Sequence, residues 1–391
     1  MDGRAAGALS LRLAGLSVSV QRAEATSPAR VAVGALGAVL LALALASILF
    51  WTAGAGPWTA YRIALGYAFA NPSGLGATLQ RAVYLLLCTL AFLVPLRGGL
   101  WNIGLPGQVY AGALAAFAVA LRAGAREAGG VAFTSLILTL MPAAAALAGA
   151  VLGGLVGFLR AKLSVNEILV TMMLNSVMFW LTSDFIKEGG ALMSATAEGE
   201  SFTLPEGLRP PLALGLPPSA LLALGAAAAV DWVFLRAASG YRVRAFGLNP
   251  QAARYAGIDP VRVTLWVFLL GGAFAGLAGY HYFAAVPGLY KIPTNYGYYG
   301  DLAFYGIICA LIARGSGVAA IPMALLFAGL SVGGRFAQGA LRLPFGVDYA
   351  LLGLLMITFV LSHLVDRYRV VWRRVPPELP TPAPPHVEGV R

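Results

Sequence analysis

The sequence predicts an all-α integral membrane protein of about ten transmembrane helices in two inverted five-helix repeats. Of its 391 residues, 59% are hydrophobic and only 11% are charged, and the mean hydropathy is +0.79. Soluble proteins carry about 25% charged residues, so this chain has too few charges to cover a surface that faces water. Because its apolar runs are long and unbroken rather than alternating as in membrane β-barrels, helices are the expected spanning elements.

Ten apolar runs predict the membrane spans, since a helix needs roughly 20 apolar residues to cross a bilayer. The runs are 31–53, 78–96, 100–121, 131–159, 168–186, 219–236, 263–283, 300–313, 317–334 and 347–365. They define a transmembrane domain at 31–365, which follows an N-terminal segment at 1–30. We expect the tail at 366–391 to be disordered, because it is polar and holds six prolines from Pro376 onward.

The distribution of charge predicts the orientation. With the N-terminus in the cytoplasm, 18 of the 27 basic residues fall inside and nine outside, as the positive-inside rule requires. Both termini are then cytoplasmic, in the inner or plasma membrane. The loop at 187–218 is external, and its Gly, Pro and Glu content predicts little structure. The net charge of +11 follows from these loops, so no nucleic-acid partner is expected.

Two matching segments predict an internal repeat. Pro142–Gly154 and Pro322–Gly334 both fit P-x-A-x-x-x-A-G-x-x-x-G-G. The halves 31–186 and 219–365 hold five predicted spans each, and an odd number gives the halves opposite orientations. Inverted repeats of this kind recur in transporters, with the binding site where the halves meet.

The predicted cytoplasmic loop at 237–262 contains a short helix outside the membrane. Asn249 suits its N-cap, Pro250 its first turn and Gly257 its C-terminal stop. A doubly capped helix with a face of small side chains is suited to docking against another protein. The small face consists of Ala252, Ala253 and Ala256.

This loop resembles a motif of ABC importer permeases. Gln251-Ala252-Ala253-x-x-x-Gly257 is similar to their E-A-A-x-x-x-G loop, with Gln in place of Glu, and Gly247-Leu248-Asn249-Pro250 also fits the family. The resemblance implies docking onto an ATPase subunit. The sequence has no G-x-x-x-x-G-K-[ST], so we expect no cofactor on this chain and assign ATP and Mg to the partner ATPase.

A second resemblance covers most of the chain, from about residue 78 to 365. Trp101–Gln108, W-N-I-G-L-P-G-Q, is similar to the F-N-I-G-x-x-G-Q motif of permeases for nucleosides and simple sugars, which are relatives of the branched-chain amino acid permeases. Asn166–Asn175 is similar to their N-E-x-x-x-T-x-M-L-N, and Gly300-Asp301 also fits. The chain departs from the first motif at Trp101 and Pro106.

Polar residues near these motifs are candidates for the solute path. Glycines and Pro106 would unwind the helix start beside Asn102 and Gln108, and irregular backbone at membrane depth faces protein or a cavity. The alternative is a re-entrant loop whose amides bond to one another. The acids could line the path, although Glu167 could instead be a solvated charge beside Arg160 and Lys162. The predicted path residues are Asn102, Gln108, Asn166, Glu167, Asn175, Asp301, Tyr298 and Tyr299.

A group of tyrosines lies within the segment 290–299, with two possible roles. They could form an aromatic belt at the membrane interface, or they could stack on the ring of a purine or pyrimidine. The group consists of Tyr290, Tyr296, Tyr298 and Tyr299.

The residues predicted to couple the permease to the ATPase lie in the loop at 237–262. They are Gly247, Asn249, Pro250, Gln251, Ala252, Ala253 and Gly257.

Together the motifs predict the permease subunit of an ATP-driven importer, forming the path for a nucleoside or a related small polar solute. The resemblance implies as partners ATPase subunits, a second permease subunit (identical or homologous) and an external solute-binding protein. The alternatives are an ABC permease for a simple sugar and an ion-coupled secondary transporter. A membrane enzyme would need a cluster of nucleophile, base or metal ligands, and the sequence shows no such cluster.

Overall fold

The computed structural model describes residues 9–13, 16–22, 28–124, 131–195, 199–344 and 346–374. The chain divides into two compact units. One is Phe50–Leu352, which holds every candidate site residue. The other combines Met1–Leu49 with Gly353–Arg391.

Helices account for most of the described residues. Two of them continue into a π-helical turn, α2 at Gly66–Ala70 and α10 at His281–Ala285. The helices are α1 (Pro28–Thr52), α2 (Pro57–Leu65), α3 (Pro72–Arg97), α4 (Leu105–Gly124), α5 (Val131–Leu163), α6 (Glu167–Ile186), α7 (Pro218–Arg236), α8 (Ala238–Leu248), α9 (Pro250–Tyr255), α10 (Pro260–Tyr280), α11 (Tyr296–Ile312), α12 (Gly317–Ala340) and α13 (Val347–Arg367).

A helix coincides with each of the ten predicted spans, which confirms the all-α membrane fold but not the number ten. Among the described residues, seven helices are long and apolar enough to cross a membrane: α3, α4, α5, α6, α7, α10 and α12. The broken pair α1 and α2 makes an eighth if it is one span. At 17 residues α11 is short, and α13 offers only the shorter apolar stretch Val347–Phe359.

Glycines bring the helices of the larger unit into backbone contact. A Cβ atom on Gly149 of α5 would lie 2.1 Å from the carbonyl oxygen of Gly272 on α10, so only glycine fits there. On α12, a Cβ atom on Gly333 would lie 2.2 Å from the carbonyl oxygen of Ala64. Gly149 and Gly333 both belong to the repeated motif, which therefore serves close helix packing in both halves. The inverted orientation of the halves stays a prediction.

The two terminal segments form a three-stranded antiparallel sheet in the order β1 (Leu9–Leu13), β2 (Leu16–Arg22) and β3 (Tyr368–Arg374). Leu9 pairs with Val20, and Ser17 pairs with Arg373. The expectation of disorder from residue 366 is therefore wrong for β3, whose aromatic and β-branched residues favour a strand. The proline-rich residues 375–391 lie outside the described part.

The loop at 187–218 is more ordered than its composition predicts. Ser201 is fully buried, its backbone N–H donates to Ile292 and its hydroxyl accepts from the Ile292 N–H at 2.8 Å. Lys291 forms an ion pair with Glu200 at 2.7 Å. The loop is fixed by contacts with residues 290–292, distant in sequence, which a composition-based prediction cannot detect.

Candidate functional site

Asn102 and Gln108 form a reciprocal amide pair between the end of α3 and the start of α4. Asn102 Nδ2 donates to Gln108 Oε1 at 2.9 Å, and Gln108 Nε2 donates to Asn102 Oδ1 at 3.0 Å. Both side chains are buried, at 0% and 1% exposure. Asn102 also bonds the carbonyl of Ala91 and the N–H of Gly104. The structure thus places the two amides against each other rather than against an open path, as in the second of the sequence alternatives.

Asn175 of α6 holds the irregular backbone that follows Asn102. Its Oδ1 accepts from the Gly107 N–H at 2.9 Å, and its Nδ2 donates to the Ile103 carbonyl at 3.0 Å. The first N–H groups of a helix have no partner within the helix, so Asn175 supplies one for α4. These contacts join the two family motifs, and they favour a positioning role for Asn102, Gln108 and Asn175.

Asn166 and Glu167 lie at the connection between α5 and α6. Asn166 is exposed and caps α6, because its side chain accepts from the Ile168 N–H at 2.9 Å. Glu167 forms an ion pair with Arg160 at 3.2 Å. Among the described residues, no hydrogen bond or ion pair joins either of them to another predicted path residue. The Arg160 contact agrees with the alternative of a charge beside Arg160, but Glu167 is 9% exposed and is therefore buried rather than solvated.

The candidate residues in the second half of the chain lie in different places. Asp301 is exposed on α11. Next to it, a Cβ atom on Gly300 would lie 1.9 Å from the Tyr110 hydroxyl oxygen, so the starts of α11 and α4 meet there. Tyr296 is buried and donates to the Phe179 carbonyl at 2.9 Å. Tyr290 lies instead under the guanidinium of Arg209, 4.9 Å from its ring centre.

Tyr298 and Tyr299 belong to a cluster around Arg81, which we call the Arg81 cluster. Arg81 lies on α3, nine residues after Pro72, which is roughly 14 Å along the helix axis. Its Nη1 donates to the Ser331 hydroxyl at 2.7 Å, and longer contacts of 3.5 and 3.4 Å reach the hydroxyls of Tyr298 and Tyr282. The cluster consists of Arg81, Tyr84, Tyr282, Tyr298, Tyr299, Ser331 and Arg335.

The tyrosine rings of the cluster contact one another. The ring centres of Tyr282 and Tyr299 are 4.6 Å apart, and those of Tyr84 and Tyr282 are 4.9 Å apart. Arg335, which is exposed, lies with its guanidinium carbon 4.3 Å from the centre of the Tyr298 ring. Helices from both halves of the chain, α3, α10, α11 and α12, therefore converge on this cluster.

The charge pattern alone did not point to Arg81, although one signal was available. Arg81 falls inside the predicted span 78–96, where an ionisable residue marks a functional site by default. Its tyrosine partners come from α11 and from the π-helical turn after α10. No spacing in the sequence relates these segments to α3.

The capping of α9 confirms the predicted short helix. Asn249 Oδ1 accepts from the N–H groups of Gln251 and Ala252, both at 3.0 Å, and Pro250 occupies the first turn. At the other end Gly257 has φ +79°. Its N–H donates to Arg254, and the Ile258 N–H donates to Ala253, which is the Schellman arrangement.

The predicted alanine face is wrong in one position. Ala253 is 4% exposed and packs into its own chain, whereas Ala252 and Ala256 are exposed. The side chains that project from the loop are larger. Leu248 is 88% exposed and Tyr255 is 94% exposed. The spacing of the capping residues predicted the helix, but it did not predict which side of the helix is buried.

Gly247 joins the loop to the end of α3. A Cβ atom on Gly247 would lie 2.5 Å from the Arg97 carbonyl oxygen and 3.1 Å from the Gly99 nitrogen, so the two backbones touch. Arg97 itself bonds the carbonyl of Gly315, and its guanidinium carbon lies 5.3 Å from the centre of the Phe234 ring. The loop therefore contacts the end of α3 that lies farther from Arg81.

Comparison with known proteins decides the class of protein. Residues 74–360 match the family described as branched-chain amino acid transport system / permease component. The chain belongs to this permease family. Its matched region contains the amide pair, the Arg81 cluster and the loop at 237–262, which we call the coupling loop after its predicted role.

Several characterised ABC transporter permeases are similar over most of the chain. A glucose ABC transporter permease protein of Haloferax volcanii is 34% identical over 85% of this chain and 88% of its own length. A guanosine ABC transporter permease protein of Bacillus subtilis is 29% identical over 85% of this chain and 93% of its own length. A nucleoside ABC transporter permease protein of Lactococcus lactis is 28% identical over 76% and 82%. No solved structure matches the chain.

These findings confirm the predicted family and the function of the chain as an ABC permease. They favour it over the ion-coupled secondary transporter and the membrane enzyme, because the matched proteins are permease subunits. A permease of this family is a transport subunit, and the chain is a multi-pass membrane protein.

Proposed function

We propose that this permease forms the translocation path of an ATP-driven importer for nucleosides. The observation that carries the proposal is the Arg81 cluster, where tyrosines and a guanidinium from both halves meet. Tyrosine rings offer flat apolar surfaces with polar hydroxyls at their edges, and stacking of a base on an aromatic side chain contributes about 1–3 kcal/mol. Two of the similar proteins are named for nucleosides or guanosine, which supports this solute class.

The predicted path residues take different parts in this proposal. Tyr298 and Tyr299 contact the solute, together with Arg81. Asn102, Gln108 and Asn175 hold the start of α4 in place. Asp301, exposed on α11, lines the path close to the start of α4.

Hydrolysis of ATP belongs to a partner ATPase, which uses ATP and Mg and docks on the coupling loop. The support is the doubly capped helix α9, from which Tyr255 projects, together with the exposed Leu248 at the end of α8. The family implies two further partners, a second permease subunit and an external solute-binding protein. In this arrangement the chain lies in the cell membrane with both termini in the cytoplasm, and the Arg81 cluster lies in the external half.

A simple sugar is the second candidate solute. The similar protein with 34% identity is named for glucose, and aromatic rings with a guanidinium donor also suit a sugar. A nucleoside and a simple sugar would use the tyrosines differently. The base of a nucleoside stacks on the face of a ring, whereas a sugar needs mainly hydrogen-bond partners for its hydroxyls.

Uptake by the reconstituted assembly tests the proposal. The permease, its ATPase and its solute-binding protein are reconstituted in vesicles and supplied with labelled inosine, uridine or glucose. We expect ATP-dependent uptake of the nucleosides, and unlabelled nucleosides should compete where glucose does not. Uptake of glucose alone would replace the nucleoside with the sugar, and uptake without ATP would overturn the importer.

A further inference from the structure

The guanidinium of Arg81 has unused hydrogen-bonding capacity. Its Nε is buried and has no hydrogen-bond partner within the described residues. Two of its three contacts, to Tyr282 and Tyr298, are long at 3.4 and 3.5 Å. A buried donor without a partner costs about as much as a lost hydrogen bond, so an acceptor that reaches this group would be bound favourably.

Arg81 also has no carboxylate in salt-bridge contact among the described residues. Asp348, on the first turn of α13, is 5% exposed, and its Oδ1 has no hydrogen-bond partner in the described part of the chain. A second positive charge, Arg335, lies over Tyr298. The cluster therefore offers two guanidinium groups, Arg81 and Arg335, that can donate hydrogen bonds to an oxygen acceptor.

We propose that Arg81 is a specificity-determining residue that selects nucleosides whose base carries a carbonyl oxygen. This inference rests on the proposed function. A guanidinium pairs with the O6 and N7 acceptors of guanine, whereas adenine presents an amino donor in place of O6. The tyrosine rings stack on the face of the base, and Arg81 donates hydrogen bonds to the acceptors at its edge. The same site disfavours adenosine, because its N6 amino group would face the guanidinium, donor against donor.

Inosine and adenosine form a matched pair for the test. Inosine carries a carbonyl at C6 and a proton on N1, where adenosine carries an amino group and an unprotonated N1, and both present the same N7 acceptor. Uptake of both is measured in vesicles with wild-type permease, Arg81→Gln and Arg81→Lys, always with the same ATPase and solute-binding protein. Because the binding protein is unchanged, any change in the inosine-to-adenosine ratio between variants arises in the permease. Arg122→Gln, an exposed site at the end of α4, is the control for loss of a positive charge.

We expect Arg81→Gln to lower inosine uptake at least tenfold and adenosine uptake less than threefold, so that the ratio falls. Arg81→Lys keeps the charge but not the two-pronged donor geometry, and it should lie between Gln and wild type. Arg122→Gln should leave the ratio unchanged. Equal losses for both nucleosides in Arg81→Gln, with ATPase co-purification intact, would overturn the inference while nucleoside import stands. Uptake of glucose but of neither nucleoside by wild type would instead overturn the proposed function.

Discussion

Gly247, near the end of α8, lies with its backbone against Gly99, in the turn after α3. A Cβ atom on Gly99 would approach the Gly247 carbonyl oxygen to 3.3 Å, and Gly99 has φ +71°, which glycine adopts at little cost. Gly99 is followed directly by the segment that carries Asn102. A displacement of the coupling loop would thus reach both α3, with Arg81 on it, and the start of α4.

We predict that Gly247→Ala uncouples ATP hydrolysis from transport. Its Cβ atom would lie 2.5 Å from the Arg97 carbonyl oxygen, which is backbone and cannot move aside alone. Overpacking of this kind costs about 1–3 kcal/mol and would push α8 away from α3. The ATPase should still co-purify, because Leu248 and Tyr255 are untouched, but solute-loaded binding protein should no longer stimulate hydrolysis in vesicles.

Gly225→Ala on α7 is the matched control. No atom lies within 4 Å of a Cβ atom at that position, and alanine favours a helix over glycine by roughly 0.5–1 kcal/mol. Coupling in this variant should equal that of wild type. Normal stimulation of hydrolysis in Gly247→Ala would show that the contact with Gly99 transmits nothing.

Leu248 and Tyr255 are the exposed side chains through which the coupling loop is expected to bind the ATPase. Leu248→Ala combined with Tyr255→Ala should weaken ATPase binding at least tenfold, because truncating exposed apolar anchors at an interface typically costs more than 1 kcal/mol each when they are central. The permease should keep its thermal stability, since both side chains are almost fully exposed. Co-purification of the ATPase at a series of concentrations measures the loss.

Trp58→Ala provides the control for removing an exposed aromatic residue. Trp58 is 78% exposed on α2, outside the coupling loop, so its loss should leave ATPase binding unchanged. Ala253→Trp should act differently from both, because it would disrupt packing within the permease itself. Undiminished binding by the Leu248 and Tyr255 double variant would assign docking to another surface.

Local sequence patterns predicted the features of the fold that depend on neighbouring residues. Capping of α9 by Asn249 and Gly257 was predicted in full, because a cap depends on residues within one turn. The spacing of Gly149 and Gly153, four residues apart, is also a local pattern, and it is typical of a close helix contact. Such features depend on neighbours in the sequence, and one chain suffices to recognise them.

Features that depend on distant contacts escaped prediction. Asn102 and Gln108 were predicted to line the path, with a loop of mutually bonded amides as the alternative, and the sequence could not decide between the two. Ser201 was placed in a loop of little structure, whereas its partner Ile292 lies 91 residues away. The surroundings of Arg81 depend on three helices outside α3. These contacts are set by tertiary packing, which composition and periodicity do not encode.

Cysteine labelling tests the predicted orientation. Leu214→Cys in the loop at 187–218 should react with an impermeant reagent from outside, and Ser239→Cys near the start of the coupling loop only from inside. Leu214 is fully exposed and Ser239 is exposed, whereas the native Cys88 and Cys309 are buried and give little background. Reaction of both variants from the same side would contradict the orientation, and Ser201 is unsuitable because it is buried.

Substitutions of the amide residues distinguish a role in positioning α4 from direct contact with the solute. Asn175→Ala would leave the Gly107 N–H and the Ile103 carbonyl without their partner, at a cost of about 1–3 kcal/mol for each unsatisfied group. Gln108→Ala would remove the two shortest hydrogen bonds of the Asn102 amide and leave its longer contacts to Ala91 and Gly104. Both variants should unfold at a lower temperature in detergent, and uptake should fall in proportion to the folded protein that remains. The inosine-to-adenosine ratio should not change.

Asn166→Ala is the matched amide control for this prediction. Asn166 is exposed and makes a single cap bond to the Ile168 N–H, so its loss should cost about 1 kcal/mol and less than Asn175→Ala. A solute-contacting amide would behave in the opposite way, with unchanged stability and a changed ratio. If Gln108→Ala gave full thermal stability but altered the ratio, the amide pair would belong to the solute path, and its closed arrangement would have to open during transport.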